Sequence, residues 1–121
     1  MTQSSLQLRN RKVFSRLDTD TYGWPDGLCI DAEGGVWSSR WEGGKLIRLD
    51  RNGEIDIIIE FPKAWNITCC IFGGENMEDL YVTSASSVTT GGNVQEKPQG
   101  GDLFVVKGLG IKGRERFRFR G

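Results

Sequence analysis

The fold is decided by residues 24–61, which read WPDGLCIDAEGGVWSSRWEGGKLIRLDRNGEIDIIIEF. Three tight turns divide this stretch into four short apolar runs. Two of the turns carry Gly43-Gly44 and Asn52-Gly53, dipeptides that suit two-residue hairpin loops because Gly and Asn tolerate positive φ. Strands joined only by tight turns must pair antiparallel, so the stretch predicts a four-stranded meander. Such a meander is the unit of a β-propeller blade.

A weaker copy of the same pattern follows along the chain. Residues 66–72 correspond to 25–31, and residues 80–84 correspond to 36–40. Their offset of about 40 to 45 residues is the period of propeller repeats. Chance similarity between two all-β stretches is the alternative explanation. The agreement in strand order and turn position favours a repeat, and with it an all-β fold in the form of a partial β-propeller.

The length of 121 residues predicts one domain. We expect disorder at residues 1–10 and a partial propeller over residues 11–121. The predicted parts are an outer strand at 11–17, a four-stranded antiparallel blade at about 24–62, and a second blade at about 65–120. The last strand of the second blade is predicted at 116–120, where Phe117 and Phe119 alternate with arginines and would point inward.

Charge and residue types exclude several functions. The chain has 16 basic and 16 acidic side chains and no net charge, which argues against a nucleic-acid or anionic-membrane surface. It contains no histidine, so a Ser-His-Asp or Cys-His mechanism cannot be assembled from one chain. The N-terminal residues lack an apolar run, and we therefore expect no signal peptide and no membrane span.

The three cysteines, Cys29, Cys69 and Cys70, lack the short fixed spacing of a zinc site. An odd number also disfavours a disulfide framework. We expect all three to be reduced, buried small residues, as in a cytoplasmic protein.

Carboxylates carry the remaining chemistry, and Asp26 is the main candidate. Pro25 stiffens the approach to it and Gly27 allows a tight turn behind it. A carboxylate at the start of a strand can ligate a hard cation or accept a proton from metal-bound water. The alternative is that Asp26 only caps a turn, since Pro-Asp-Gly is a common turn sequence.

Other aspartates are given structural roles. Asp31 and Asp50 each end a strand beside a turn and are predicted to cap it. Asp18 and Asp20 alternate like calcium-loop ligands, but their loop lacks the Gly and the distal Glu of that motif.

Three segments together resemble one known family: WPDGLCIDAEGGVW at 24–37, GGKLIRLD at 43–50 and TCCIFGG at 68–74. This is the senescence marker protein/gluconolactonase/luciferin-regenerating enzyme family, which includes the regucalcin-like proteins. The similarity continues in order from residue 11 to residue 121, and corresponds to the C-terminal portion of the family only.

The resemblance implies a six-bladed propeller that holds a divalent metal ion, calcium or zinc, in its central channel. Many family members hydrolyse sugar lactones or related esters. Asp26 aligns with the aspartate of the family's Pro-Asp-Gly motif, which implies that it is both a metal ligand and the catalytic residue that handles the proton in hydrolysis. In that scheme the cation polarises the lactone carbonyl while Asp26 activates water.

The chain departs from the family in one large respect. The family's other metal ligands, a glutamate near its N-terminus and a mid-chain asparagine, have no counterpart in this sequence. One carboxylate cannot hold calcium, which takes six or more oxygens, or zinc, which takes three or four protein ligands. Whether this chain is an enzyme therefore stays open, and we expect the fragment to be inactive alone.

Two alternatives to an inactive fragment remain. Three copies of a two-blade unit could close one six-bladed ring, so that three Asp26 carboxylates share a metal site and hydrolase activity is restored. Otherwise the chain is a non-catalytic binding module, in which the loop at 86–101 is the contact surface and exposed blade edges allow self-association. The expected partner is a small-molecule lactone or ester if the protein is active, with neither nucleic acid nor membrane as a partner.

Overall fold

The computed structural model describes residues 7–92 and 95–121, and the predicted all-β fold is confirmed. Seven strands form two antiparallel sheets. The strands are β1 (Trp24–Ile30), β2 (Val36–Trp41), β3 (Lys45–Leu49), β4 (Ile55–Glu60), β5 (Asn66–Gly73), β6 (Asp79–Ala85) and β7 (Leu103–Val106). A one-turn helix, α1 (Thr19–Tyr22), precedes β1, and a 3-10 turn at Ser87–Thr90 follows β6. Within the described residues, no helix has the length and apolar character needed to span a bilayer.

The first sheet is the predicted four-stranded meander, in the order β1-β2-β3-β4. Both hairpin dipeptides lie in turns, and Gly44 and Gly53 take φ values of 61° and 79°. A side chain at Gly53 would also collide with the carbonyl oxygen of Phe14, so this turn touches the N-terminal segment. The local chemistry of the turns therefore sets the pairing of this sheet.

The second sheet has three strands, in the order β5-β6-β7. The longer loop predicted at 86–101 joins β6 to β7. Here the prediction of a fourth strand at 116–120 is wrong, because the described residues after β7 form no strand. Phe117 and Phe119, predicted to point inward, are 106% and 96% exposed.

The missing fourth strand has a physical reason in the path of the chain after β7. Gly113 forms an isolated bridge with Asp31 of the first sheet, and the amide of Ala32 donates a hydrogen bond to the carbonyl of Lys112. The chain therefore leaves the edge of the second sheet before residue 116. An alternating sequence forms a strand only where a neighbour accepts its hydrogen bonds.

The predicted outer strand at 11–17 is also absent. The two sheets contain only β1 to β7, so neither of them includes this segment as a strand. Residues 13–17 instead line a shared pocket with Leu28, Val36 and Leu49 of the first sheet. The disorder expected at residues 1–10 falls mainly on residues 1–6, which lie outside the described residues.

The core lies between the two sheets, where β5 packs across β1 and β2. Trp37 is fully buried and meets Phe72 edge to face, with the ring centroids 6.0 Å apart. The buried apolar side chains of this core cluster are Cys29, Trp37, Leu46, Phe61, Ala64, Ile67, Cys70, Phe72, Leu80 and Val82. This shared core holds the two edge strands β1 and β5 against each other.

Asp31 joins the turn after β1 to the core. Its carboxylate accepts hydrogen bonds from the amides of Glu33 and Gly35 at 2.9 Å, which confirms the predicted turn cap. It also accepts from Trp37 Nε1 at 2.8 Å and from Arg48 Nε at 2.7 Å. Burial would raise the pKa of Asp31, but the hydrogen bonds from Arg48, Gly35, Trp37 and Glu33 hold it below its ordinary value.

Asp50 and Asp18 also have structural partners. Asp50 accepts hydrogen bonds from the amides of Asn52 and Glu54, at 2.8 and 3.1 Å, as predicted for a turn cap. Asp18 caps α1 by accepting from the amide and hydroxyl of Thr21, at 3.0 and 2.6 Å. The hydrogen bonds from Thr21 lower the pKa of Asp18.

Candidate functional site

Asp26 lies at an irregularity in the first strand. Pro25 pairs with Arg40 and Leu28 pairs with Ser38, so Asp26 and Gly27 together face Ser39 alone. Two residues opposite one constitute a β-bulge, which bends a strand and redirects a side chain. Asp26 therefore belongs to a strand and does not cap a separate turn.

The carboxylate of Asp26 is exposed. None of the residues that the structure describes gives it a hydrogen bond or an ion pair. This distinguishes it from Asp18, Asp31 and Asp50, each of which accepts hydrogen bonds from nearby donors. Of these four aspartates, Asp26 is the one whose oxygens stay available to a ligand or to water.

The second sheet has a matching bulge near the start of β5. Ile67 pairs with Ser84 and Cys69 pairs with Thr83, which leaves Thr68 as the extra residue. The hydroxyl oxygens of Thr68 and Thr83 lie 2.7 Å apart. Both sheets thus open with an edge strand that bulges soon after it begins.

The two bulges touch at Gly27. A Cβ added at this glycine would lie 2.7 Å from the carbonyl oxygen of Thr68 and 2.6 Å from Cys69 Sγ. Only a residue without a side chain allows such an approach of β1 to β5. Gly27 therefore places the neighbouring Asp26 at the junction between the two edge strands, beside Thr68.

Arg40 orders the chain just before Asp26, a role that the sequence analysis did not identify. Its Nε and Nη2 donate hydrogen bonds to the carbonyls of Tyr22 and Gly23, at 3.0 and 2.9 Å, while Nη1 donates to Ser38 Oγ at 3.0 Å. Arg40 is buried, and burial lowers its pKa. An arginine in an otherwise uncharged strand, VWSSRW, was the available signal.

Trp24 pairs with Trp41 across the first hairpin and is 56% exposed. Its ring is accessible two residues before Asp26.

Asp26 has too few companions to hold a metal ion. The described residues contain no group of three or more histidine, cysteine, aspartate or glutamate side chains placed to bind one. Calcium needs six or more oxygens and zinc needs several protein ligands. The described part of the chain therefore does not fit a complete cation site.

The chain is similar to several known proteins. The family described as SMP-30/Gluconolactonase/LRE-like region matches residues 1–86. Regucalcin of Danio rerio is 37% identical over 115 residues, which cover 94% of this chain and 38% of that protein.

Two solved structures show the same fold. A calcium-binding protein, regucalcin, from Agrobacterium tumefaciens superposes with a TM-score of 0.69 and 33% identity, over 85% of this chain and 34% of that one. A gluconolactonase from Xanthomonas campestris gives a TM-score of 0.51 and 28% identity, over 61% and 22% of the two chains. The partial β-propeller is confirmed. The chain spans about 38% of the length of the regucalcin that it matches.

Proposed function

Since the chain belongs to the SMP-30/gluconolactonase/LRE-like family, we propose that it supplies the Asp26 part of a metal-dependent site that hydrolyses sugar lactones or related esters. The remaining part of that site would come from polypeptide other than residues 1–121. This agrees with the 38% of a relative's length that the chain spans.

The observation that carries the proposal is the unpartnered carboxylate of Asp26 on a bulge. An exposed carboxylate can accept a proton from water as that water attacks a lactone carbonyl, which opens the ring to a hydroxy acid. The bulge and the contact at Gly27 fix the backbone that bears it. Because one carboxylate is too few for a cation, we expect the isolated chain to hydrolyse no lactone at a metal-dependent rate.

A chimera tests the proposal. The matching 115-residue segment of Danio rerio regucalcin is replaced by this chain, and hydrolysis of a gluconolactone is measured with calcium, with zinc and with a chelator. We expect metal-dependent hydrolysis that falls at least about 100-fold in the Asp26→Asn variant. The matched control is Asp20→Asn, an exposed carboxylate in α1, and it should leave the rate unchanged.

Two results would overturn the proposal. In the first, the chimera folds and the Asp26→Asn variant keeps its rate, which removes the role of Asp26. In the second, the chimera folds and shows no lactone hydrolysis, which means that this segment does not support the proposed reaction. Circular dichroism and a single mass by light scattering establish folding in both cases.

The exposed apolar residues favour a second possibility, the closed ring of three copies. Leu28, Ile30 and Ile58 are exposed on the first sheet, and Ile71, Leu103 and Val105 are exposed on the second. Each sheet thus has apolar surface that another blade could cover. Three copies would then bring three Asp26 carboxylates together. A trimer mass with metal-dependent hydrolysis by the chain alone would support this arrangement, and a monomer mass would exclude it.

A further inference from the structure

The thiols of Cys29 and Cys70 meet in the core between the two sheets. Their sulfur atoms lie 3.6 Å apart, although the residues are 41 positions apart in the chain. Cys29 is 6% and Cys70 1% exposed, and both are free thiols. A disulfide bond is about 2.0 Å long, so the two sulfurs need to approach by about 1.6 Å.

The backbones beside this pair are already in contact. Facing sheets usually pack about 10 Å apart, which is too far for a disulfide between their backbones. At the two bulges, however, a Cβ on Gly27 would lie 2.8 Å from the Cβ of Cys69. The strands that carry Cys29 and Cys70 are therefore much closer here than ordinary stacked sheets.

The surroundings shift the pKa values of the two thiols in opposite directions. The hydrogen bond with Cys29 lowers the pKa of Cys70, and the hydroxyl of Ser39 acts in the same direction. That hydrogen bond, together with burial, raises the pKa of Cys29. The shared hydrogen bond therefore favours ionisation of one thiol of the pair over the other, and thiolate is the form that reacts with oxidants.

A small molecule has a route to Cys29. A cavity of about 450 Å³ opens beside Cys29, and its walls include Leu28, Phe72 and the terminal residues Arg116 and Phe117. This volume exceeds that of a peroxide molecule many times over, since one water takes about 30 Å³. Larger disulfide reagents would have to displace those terminal residues.

We propose that Cys29 and Cys70 are an oxidation site, at which hydrogen peroxide forms a reversible disulfide between the two sheets. One cysteine of the pair, as its thiolate, attacks one peroxide oxygen, the O–O bond breaks, and that cysteine becomes a sulfenic acid as hydroxide leaves and takes up a proton. The other thiol then attacks the sulfenic sulfur, forms the S–S bond and releases water. The two thiols lose two electrons, and one peroxide is reduced to two waters.

The bond would join β1 to β5 next to the bulge that carries Asp26. Two thiols of a small dithiol reductant restore both cysteines by exchange. Cys69, the exposed third thiol, takes no part. This oxidation site does not depend on the proposed hydrolytic role of Asp26.

The test uses the reduced full chain, treated with hydrogen peroxide and then denatured for thiol counting and non-reducing peptide mapping. We expect the thiol count to fall from three to one, with a cross-linked peptide pair that contains Cys29 and Cys70. The oxidised chain should unfold at a higher temperature, and dithiothreitol should reverse both changes. The Cys69→Ser variant should form the same link.

Two variants keep the test decisive. Cys29→Ser and Cys29→Val should both stop the loss of the two thiols, and the second preserves an apolar side chain if the first fails to fold. Links that involve Cys69, disulfide dimers, stable sulfinic acid on either cysteine of the pair, or no thiol loss in the folded chain would each overturn the proposal.

Discussion

Replacing Asp31 by Asn is expected to lower the free energy of unfolding by about 3 kcal/mol. Asp31 is fully buried and accepts hydrogen bonds from Arg48 Nε at 2.7 Å and Nη2 at 3.3 Å. Removing one partner of a buried ion pair costs about 3 to 5 kcal/mol because a charge is left uncompensated. Arg48 keeps a second carboxylate, Asp56, at 2.5 Å, so we expect the lower end of that range.

The assay is urea unfolding followed by tryptophan fluorescence, since Trp37 is buried and donates to the altered carboxylate. For small proteins the slope of free energy with urea is about 1 to 3 kcal/mol per molar. The midpoint should therefore fall by about 1 to 3 M. The matched control is Asp50→Asn, because Asp50 also caps a turn through two backbone amides but pairs with no arginine in the described part of the chain.

Asparagine also caps turns, so the Asp50→Asn variant should lose less than about 1 kcal/mol. Equal losses in Asp31→Asn and Asp50→Asn would refute the reasoning, because the ion pair with Arg48 would then add nothing to the turn cap.

Three further predictions concern pH, packing and oxidation. The pKa of Asp31 is lower in the folded than in the unfolded state, so its contribution to the free energy of unfolding is complete above the unfolded pKa of about 3.9 and is lost as pH falls through the folded pKa. Urea unfolding measured at decreasing pH should therefore show a smaller difference in the free energy of unfolding between wild type and Asp31→Asn. Gly27→Ala should cost about 1 to 3 kcal/mol in thermal unfolding, since its Cβ meets the Thr68 carbonyl at 2.7 Å, and an unchanged melting temperature would refute that contact. The Cys29–Cys70 bond closes a loop of 41 residues and should raise the free energy of unfolding, measured in urea, by about 4 kcal/mol. Equal urea midpoints for the oxidised chain with and without dithiothreitol would contradict this stabilisation.

The first meander was predictable because its turns are local. Gly43-Gly44 and Asn52-Gly53 favour hairpin loops by their own conformational preferences, and the structure has strands on both sides of each. The strand predicted at 116–120 failed for the opposite reason. Alternation of arginine and phenylalanine says nothing about whether a neighbouring edge is within reach.

The sequence identified Asp26 as the candidate site residue but did not predict the geometry around it. Pro25, Asp26 and Gly27 drew attention through their sequence, yet the bulge depends on register with β2 and the contact with Thr68 depends on packing against β5. Both are long-range properties that a local pattern does not contain.

The sequence also contains a feature that indicates the buried ion pair between Arg48 and Asp31. Arg48 interrupts the apolar strand KLIRL, where all positions after the first are buried. A buried arginine requires acceptors, and a buried carboxylate is the usual one. The same reasoning applies to Arg40, whose acceptors are the backbone carbonyls before Asp26 and the Ser38 hydroxyl.

Calorimetric titration of calcium into the isolated chain, the chimera with Danio rerio regucalcin and its Asp26→Asn variant tests the proposed role of Asp26 without relying on catalysis. We predict no specific binding to the isolated chain, binding to the chimera, and an affinity at least about tenfold weaker in the variant, because a ligand with a full charge is lost. Calcium binding of equal strength by the chimera with and without Asp26 would contradict that role.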